Sequence, residues 1–306
     1  MGLGAAQFGN LNRETTDEAS LAAVDAAWDA GIRYFDTAPH YGIGLSERRL
    51  GAALRGRDRD SYLLSTKVGR ALVPTPERAA AGESDGHGFV TPATHRREWD
   101  FSRDGILRSV EESLERLGLD RIDIAYLHDP DDHWEAASTT GVGALVELRD
   151  QGVVRAIGAG MNQSAMLTEF VRRTDVDIVM VAGRYTLLDR TAAEDLLPLA
   201  EERGVAVVAA AVYNSGLLSR AEVPADARYD YAQAPQELLD RARAMADVCA
   251  RHGVTLPDAA VQFPLRHPAV ASVVVGTRTA EQVASSVARY AADIPDALWD
   301  ELESER

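Results

Sequence analysis

Short apolar runs alternate with longer segments of helical period eight times along this chain. The runs are rich in valine, isoleucine and alanine, which is typical of parallel strands that are buried on both faces. A regular alternation of strand and helix indicates an α/β architecture. Eight such units within 306 residues favour a closed (β/α)8 barrel, and we expect one TIM-barrel domain over residues 1–306.

The same pattern sets the expected boundaries of the elements. It predicts strands over residues 2–7, 32–36, 62–66, 122–127, 153–158, 177–181, 205–212 and 270–275. It predicts helices over 17–30, 46–54, 103–117, 142–151, 164–173, 192–203, 236–252, 257–266 and 280–291, with Ser46 as an N-cap. A long polar stretch, 69–99, interrupts this order.

Two features concern the start of the chain. The first strand begins at residue 2, so we expect the N-terminal hairpin that closes the bottom of many such barrels to be absent. An open dinucleotide-binding sheet is the structural alternative. Its fingerprint is incomplete, because Gly2-Leu3-Gly4 is not followed by a third glycine at the required spacing.

Composition restricts the partners and the compartment. The chain has 48 acidic and 32 basic residues, a net charge of −16, which argues against binding to nucleic acid or anionic membranes. It has no apolar run of about 18 residues and no secretory signal pattern. Its one cysteine, Cys249, cannot form an intramolecular disulfide. We expect a cytoplasmic protein that acts on a small molecule.

One lysine, Lys67, stands among 32 basic residues, and the other 31 are arginines. A lysine ammonium is compact and its pKa shifts readily on burial, whereas a guanidinium stays charged. This chain uses arginine wherever a cation is merely needed, so Lys67 is a candidate for a specific chemical role.

Polar side chains follow several predicted strands, and the active site of such a barrel lies at the carboxyl ends of its strands. Asp36 ends the second strand and Tyr41 follows it by five residues. Lys67 follows the third strand and His128 the fourth. We therefore expect these four side chains to converge at the mouth of the barrel.

These four residue types together can move a proton. A phenol has a pKa near 10, and a neighbouring ammonium favours the phenolate and lowers that pKa. A carboxylate holds the ammonium in place, and an imidazole can orient a substrate oxygen. The set therefore indicates proton transfer to or from a carbonyl or alcohol oxygen.

Metal binding is a competing interpretation of the loop after the fourth strand. That loop is dense in potential ligands, but they are contiguous and lack the spacing of histidine ligands on a helix. We therefore expect no metal site among His128, Asp129, Asp131, Asp132 and His133.

Several segments resemble the aldo-keto reductase superfamily over nearly the whole chain. They are GLGAAQFGN, FDTAPHYGIGLSERRLG, LLSTKVG, IDIAYLHDPDD, VVRAIGAGMNQ and SVVVGTRTAEQV. The resemblance implies an NAD(P)-dependent oxidoreductase. It implies Tyr41 as general acid/base, Lys67 as the group that depresses its pKa, Asp36 as the partner of Lys67, and His128 as the residue that orients the substrate.

The resemblance also implies a cofactor site and a substrate pocket. The implied cofactor residues are Ala5, Asp36, Asn162, Tyr213, Asn214, Ser215, Gly216, Leu217, Gly276, Thr277, Arg278 and Gln282. The candidate pocket residues are Phe8, Trp99, Trp134 and Arg184. Many NADP-dependent members have Lys and Arg at positions 276 and 282, so the resemblance favours NAD, with Arg278 as the only cation available to a 2′-phosphate.

Within the superfamily, LHDPDD, AGRYTLLD and YNSGLL are most similar to bacterial aldose 1-dehydrogenases, a subgroup with L-fucose, D-threo-aldose and L-galactose dehydrogenases and with pyridoxal 4-dehydrogenase as a similar enzyme. Such enzymes oxidise the anomeric hydroxyl of a sugar, or an equivalent hemiacetal, to a lactone. Three alternatives stay open: an NADPH-dependent aldehyde or ketone reductase, an aldolase that uses Lys67 as a Schiff-base nucleophile, and a non-catalytic nicotinamide-sensing subunit.

Overall fold

The computed structural model describes residues 1–230 and 232–304, and its eight main strands are parallel and close into a barrel. Leu3 pairs with Phe35 on one side and with Val275 on the other, which closes the ring. The prediction of a (β/α)8 barrel is confirmed and the open sheet is excluded. The barrel strands are Gly2–Gly4, Tyr34–Asp36, Leu63–Val68, Ile124–His128, Ala156–Met161, Ile178–Ala182, Ala206–Ala210 and Val270–Gly276.

Helices surround the barrel. Their limits follow local signals: in the third of them, Ser102 caps the first turn by accepting from the N–H of Gly105, and Gly118 ends it with a φ of 63°. The predictions over 103–117 and 164–173 are confirmed, and the last helix was not predicted. The main helices are Asp17–Asp29, Leu45–Leu54, Arg103–Leu117, Val142–Asp150, Ser164–Arg173, Leu196–Arg203, Gln236–Arg251, Leu256–Gln262, Ala280–Tyr290 and Asp296–Ser304.

The prediction of Ser46 as a helix cap is wrong. Gly44 occupies the cap position with a φ of 76°, and Ser46 lies inside the helix. Its buried hydroxyl donates to the carbonyl of Ala5 at 2.6 Å. Ser46 therefore ties the helix to the end of the first barrel strand instead of starting the helix.

Large side chains fill the inside of the barrel. Tyr34, Tyr126 and Met180 belong to an interior cluster separate from the larger core between strands and helices. Tyr34 begins the second strand and lies against Gly2, where an added Cβ would be 2.6 Å from the tyrosine ring. The first barrel strand starts at Gly2, and within the described ranges no strand precedes it.

The polar stretch 69–99 folds over the mouth of the barrel. Strand Arg70–Pro74 pairs antiparallel with strand His95–Trp99. The loop between them is fastened by Arg97, which binds Asp85 at 2.8 Å and donates to the carbonyl of His40 at 2.7 Å. Because His40 precedes Tyr41, this hairpin lies beside the predicted active site.

In the parts of the chain that the structure describes, we find no helix with the length and apolar character needed to cross a membrane.

Candidate active site

Lys67 and Asp36 form a buried ion pair at the mouth of the barrel. The ammonium Nζ lies 2.7 Å from Oδ2 and 2.9 Å from Oδ1 of Asp36, and it donates to the carbonyl of Thr37 at 3.0 Å. Burial lowers the pKa of Lys67, but Asp36 and Tyr41 outweigh it, so the pKa is raised above its usual value. Lys67 is therefore a fixed ammonium.

A chain of hydroxyl groups holds Asp36 from below. Ser65 donates to Asp36 Oδ1 at 2.7 Å, and the hydroxyl of Tyr34 lies 3.1 Å from the Ser65 hydroxyl. The Tyr126 hydroxyl follows at 3.4 Å. These groups occupy the barrel interior, so the sequence that fills the core also fixes the carboxylate that orients Lys67.

Tyr41 lies over Lys67 in the loop after the second strand. The Lys67 ammonium is 4.9 Å from the centre of the Tyr41 ring. The ring of Phe89 packs on the other side of the mouth, 6.1 Å away between ring centres. The Tyr41 side chain is partly exposed at the mouth, while its phenol group is buried beside Lys67.

The pKa of Tyr41 differs from the simple expectation. Burial raises it to about 12, although Lys67 acts in the opposite direction. Lys67 lowers this pKa, as expected, but desolvation outweighs the single nearby cation, so the net shift is upward. In the free protein the phenol is protonated at neutral pH and can donate.

His128 meets Tyr41 edge to face, with 5.9 Å between ring centres. It is buried, and burial together with Arg70 and Lys67 lowers its pKa well below the usual value. The imidazole is therefore neutral. Its Nδ1 is buried and makes no hydrogen bond within the described part of the chain. A neutral imidazole can donate to one oxygen without adding a competing charge.

The structure thus brings together all four predicted catalytic residues. It also places beside them residues that sequence reasoning missed: His40, Arg70, Phe89 and Arg97. His40 lies 5.4 Å from His128 between ring centres. Arg70 follows Lys67 by only three residues, and this proximity was the one available signal. His40 directly precedes Tyr41 in the sequence, and Phe89 and Arg97 come from the hairpin, whose fold the sequence did not indicate.

The predicted cofactor residues at the end of the last strand and just after it differ in their exposure and in their hydrogen bonds. Gly276 is exposed, and the hydroxyl of Thr277 is buried with no hydrogen-bond partner in the region described. The side-chain oxygen of Gln282 accepts from the backbone N–H of Arg278 at 2.7 Å. Exposed Gly276 and the hydroxyl of Thr277 therefore remain available to a ligand at the rim.

Arg278 is turned away from these positions. Its guanidinium donates to the carbonyls of Leu11 at 2.7 Å and Arg13 at 2.9 Å, and it also binds Thr15. The side chain is buried. Arg278 therefore fastens the loop after the first strand, and its guanidinium is already occupied.

The predicted cofactor residues 213–217 form a tight turn after the seventh strand. Asn214, Ser215 and Gly216 have φ values of 43°, 56° and 97°, and Ser215 and Gly216 are exposed. Asn214 is buried and donates to the carbonyl of Gly183 at 3.3 Å. Tyr213 is partly exposed and Leu217 is buried, so the middle of the turn is what a ligand can reach.

Two further cofactor candidates directly follow barrel strands. Asn162 directly follows the fifth strand and is partly exposed. Ala5 is fully buried, and its carbonyl already accepts from Phe8 at 2.9 Å and from Ser46 at 2.6 Å. The structure therefore places Asn162, but not Ala5, where a ligand can contact it.

Of the four predicted pocket residues, Trp99 is the most exposed. It is 45% exposed and packs against the Arg70 guanidinium at 4.4 Å. Phe8 is fully buried, because the short helix Ala6–Gly9 turns its ring into the core. The ring of Trp134 packs on Phe170, 4.9 Å away.

Arg184 is held by two acidic side chains. It binds Asp230 at 2.7 Å and Asp189 at 3.4 Å, and so ties the loop after the sixth strand to a loop after the seventh. Arg184 therefore joins these two loops, and its contact with a substrate stays a prediction.

Two observations concern other possible sites. A surface cleft of about 450 Å³ lies at the opposite end of the barrel, lined by residues before the third to fifth strands, among them Arg59, Asp60 and Arg121. Its charges pair with one another, as Arg121 does with Asp60 at 2.8 Å. Over the described residues, no group of three or more His, Cys, Asp or Glu could hold a metal ion.

The comparisons with known proteins agree with this geometry. D-threo-aldose 1-dehydrogenase of a Pseudomonas species is 50% identical, with 100% of this chain and 93% of the relative aligned. Pyridoxal 4-dehydrogenase of Microbacterium luteolum is 38% identical over the same shares. A holo-form aldo-keto reductase of Bacillus halodurans matches with a TM-score of 0.76 and 28% identity, over 100% of this chain and 91% of that one.

A model of the aldo/keto reductase family matches residues 1–305. The barrel topology and the family match agree, and both cover nearly the whole chain. The chain belongs to the aldo/keto reductase family and is an oxidoreductase.

Proposed function

We propose that the protein oxidises the anomeric hydroxyl of a cyclic aldose to a lactone, with a nicotinamide cofactor as the hydride acceptor. The observation that carries this proposal is the contact between Tyr41, the Lys67–Asp36 pair and His128 at one end of the barrel. The 50% identity to an aldose 1-dehydrogenase supports the choice of a sugar over another alcohol.

The residues at the mouth fit a nicotinamide dinucleotide. Exposed Ser215 and Gly216 lie in a turn of left-handed residues, a type of backbone that binds phosphate oxygens. The buried hydroxyl of Thr277, with no partner in the described structure, is a polar group that a ligand would satisfy. A bound oxidised nicotinamide accepts a hydride. Asn162 would contact its carboxamide, and Gly276 and Gln282 would hold its adenosine end.

Each catalytic side chain has a defined task in this proposal. In the oxidative direction Tyr41 acts as the phenolate, which forms when the phenol releases its own proton to solvent, and its oxygen then accepts the proton of the anomeric hydroxyl. In the reverse direction the phenol donates that proton. Lys67 stabilises the phenolate, and Asp36 keeps Lys67 charged and oriented. His128, being neutral, donates a hydrogen bond to the reacting oxygen, and Tyr41 and His128 together fix that oxygen for hydride loss from carbon.

We propose NAD as the preferred cofactor. The only cation in segment 276–282 is Arg278, and its guanidinium is occupied by the carbonyls of the loop that contains Leu11 and Arg13. A 2′-phosphate binds tightly only where a cation can face it. Gly276 and Gln282 provide no such charge.

The proposed function is tested with a panel of substrates. L-fucose, D-arabinose, L-galactose and pyridoxal are each incubated with NAD and with NADP, and reduced cofactor and lactone are measured. We expect turnover of at least one aldose, with the higher kcat/KM in the presence of NAD. If the purified protein binds the cofactor but turns over none of the four substrates, the proposal is wrong.

One observation favours a second function, the reduction of an aldehyde. A phenol whose pKa is raised to about 12 is a proton donor at neutral pH, which suits the reductive direction. Comparing methylglyoxal plus NADPH with the aldoses plus NAD measures which direction is faster. The aldolase alternative is disfavoured, because the Lys67 amine is charged and makes three hydrogen bonds, so it is a poor nucleophile.

A further inference from the structure

An ion pair lies directly beside His128 and takes no part in the proton transfer described above. Arg70 Nη2 lies 2.6 Å from Asp129 Oδ2, and the same oxygen lies 3.6 Å from His128 Nε2. The Arg70 guanidinium also lies 3.4 Å from His40 Nδ1. The pair therefore borders the place where the substrate oxygen meets His128.

This pair is held rigidly. Arg70 starts the mouth hairpin, and its guanidinium packs on the ring of Trp99 at 4.4 Å. The backbone N–H of Asp129 donates to the carbonyl of Gly160 at 3.0 Å. Asp129 has a φ of 40°, a left-handed conformation that non-glycine residues seldom adopt and that is found enriched at functional sites.

The pair also has unused hydrogen-bonding capacity. Nε of Arg70 is buried and has no hydrogen-bond partner anywhere in the described structure. The bond from Arg70 uses one oxygen of Asp129, and an ionised carboxylate can accept several bonds. The Asp129 side chain is 30% exposed, so a ligand at the mouth can reach it. A buried donor without a partner is costly in a folded protein, and a ligand hydroxyl would relieve that cost.

We propose that Arg70 and Asp129 form a polar clamp that binds the sugar hydroxyls at C2 and C3, the two carbons that follow the anomeric carbon. The proposal rests on the proposed function, because it assigns these residues to the aldose substrate. Asp129 accepts from a sugar hydroxyl and Arg70 donates to one, so the clamp selects polyhydroxylated substrates over plain hemiacetals.

Two other roles for the pair predict different results. If Asp129 only orients His128, its loss slows every substrate by the same factor. If the pair only fastens the hairpin, its loss lowers the melting temperature and again slows every substrate equally. A clamp on the sugar hydroxyls changes the ratio between substrates, because a substrate without those hydroxyls never uses it.

The test compares two cyclic hemiacetals with the same reacting group. L-fucose carries hydroxyls on the two carbons that follow the anomeric carbon, and 2-hydroxytetrahydropyran carries only its anomeric hydroxyl. We measure kcat/KM for both with NAD in the wild-type protein, in Asp129→Asn and in Arg70→Lys. Asparagine tolerates the left-handed backbone of Asp129. Asp132→Asn is the matched control, since it removes the same charge from an exposed position in the same loop.

We expect the ratio of kcat/KM for L-fucose to that for 2-hydroxytetrahydropyran to fall by about 10- to 100-fold in Asp129→Asn, the effect of losing a charged hydrogen bond to the substrate. Arg70→Lys, which lacks the planar fork, lowers the ratio in the same direction. Asp132→Asn keeps the ratio of the wild type.

A ratio that stays within about threefold of wild type in both variants, below the loss of a single hydrogen bond, overturns the clamp. If one variant fails to fold, as judged by circular dichroism, the other supplies the ratio. Wild-type protein that oxidises neither hemiacetal, and none of the other aldoses tested above, contradicts the proposed function itself. Wild-type protein that oxidises 2-hydroxytetrahydropyran as well as L-fucose supports hemiacetal oxidation but contradicts the clamp.

Discussion

The backbone of Gly42 packs directly against that of Gly9, and this contact fixes the loop that contains Tyr41. A Cβ added to Gly42 would lie 2.7 Å from the Cα of Gly9, and one added to Gly9 would lie 2.5 Å from the carbonyl carbon of Tyr41. Side chains cannot be accommodated at such distances without moving the backbone. The position of the phenol over Lys67 therefore depends on two glycines that have no chemistry of their own.

Replacing Gly9 by alanine should displace Tyr41. We expect kcat to fall by about 100-fold, since a shift of about 1 Å at a reacting group has an effect of that size. The measurement is the steady-state rate with the preferred aldose. Gly143→Ala is the control, because Gly143 lies on an exposed helix position with nothing within 4 Å of an added Cβ. Equal rates in both variants would show that the glycine contact does not position Tyr41.

Tyr41→Phe should abolish turnover while cofactor binding persists, because the substitution removes only the transferable proton. Cofactor binding is followed by protein fluorescence and turnover by reduced nicotinamide.

Lys67→Arg should also abolish turnover, because a guanidinium is bulkier than the ammonium that Asp36 and the Thr37 carbonyl hold. A rate near that of the wild type in either variant contradicts the assigned roles.

The barrel and the four central residues could be predicted from the sequence for one physical reason. Asp36 and His128 end barrel strands and Lys67 is the next-to-last residue of one, and the carboxyl ends of parallel strands meet at one rim whatever the loops do. Tyr41 follows within five residues and cannot leave that rim.

The parts of the site that the sequence did not predict depend on loops and burial. Arg97 reaches the His40 carbonyl from 57 positions away, through a hairpin whose polar sequence has no clear period. Phe8 follows the first strand as Tyr41 follows the second, but a short helix turns its ring into the core. The raised pKa of Tyr41 comes from desolvation, which spacing along the chain does not reveal.

Arg278→Gln tests whether Arg278 affects the relative affinities of the protein for NAD and NADP. The guanidinium binds loop carbonyls, so its loss should loosen the loop and weaken NAD and NADP binding by the same factor. The dissociation constants of both cofactors are measured by fluorescence titration. A loss of NADP affinity more than about tenfold greater than the loss of NAD affinity, which is the effect of losing a phosphate contact, would instead place Arg278 at the 2′-phosphate.

Two neutral histidines at the mouth should make the fold sensitive to acid. Burial, with Arg70 and Arg97, lowers the pKa of His40 to about 2, and the pKa of His128 is also well below 6.5. An unfolded histidine takes up a proton below pH 6.5 and the folded one does not, so stability is full above that pH and is lost as the pH falls.

His40→Gln removes one of the two histidines that take up a proton only when the protein unfolds. Between about pH 6.5 and 5, the slope of the unfolding free energy against pH should become less steep by up to about 1.4 kcal/mol per pH unit. Urea unfolding at a series of pH values measures the slope. An unchanged slope would mean that His40 binds a proton in the folded protein.

A buried ion pair packed against strand Leu63–Val68, which contains Lys67, should be essential for the stability of the fold. Glu47 is fully buried, accepts from Arg116 Nε at 2.6 Å, and accepts from the Thr66 hydroxyl at 2.8 Å, one residue before Lys67. Arg116→Met leaves the Glu47 charge buried without its partner, and we expect a loss of about 3–5 kcal/mol in the free energy of unfolding.

Urea unfolding at neutral pH measures this loss, and Arg172→Met is its control. Arg172 pairs with Glu169 on an exposed helix face, so the same chemical change there should alter the free energy of unfolding by less than about 1 kcal/mol. Glu169 is 31% exposed and keeps a second partner, Arg173, at 2.7 Å, so the difference between the two variants measures the cost of leaving a buried carboxylate without its arginine. If Arg116→Met costs no more than Arg172→Met, water or a neighbouring donor reaches Glu47 and the pair is not needed to hold the lysine strand in place.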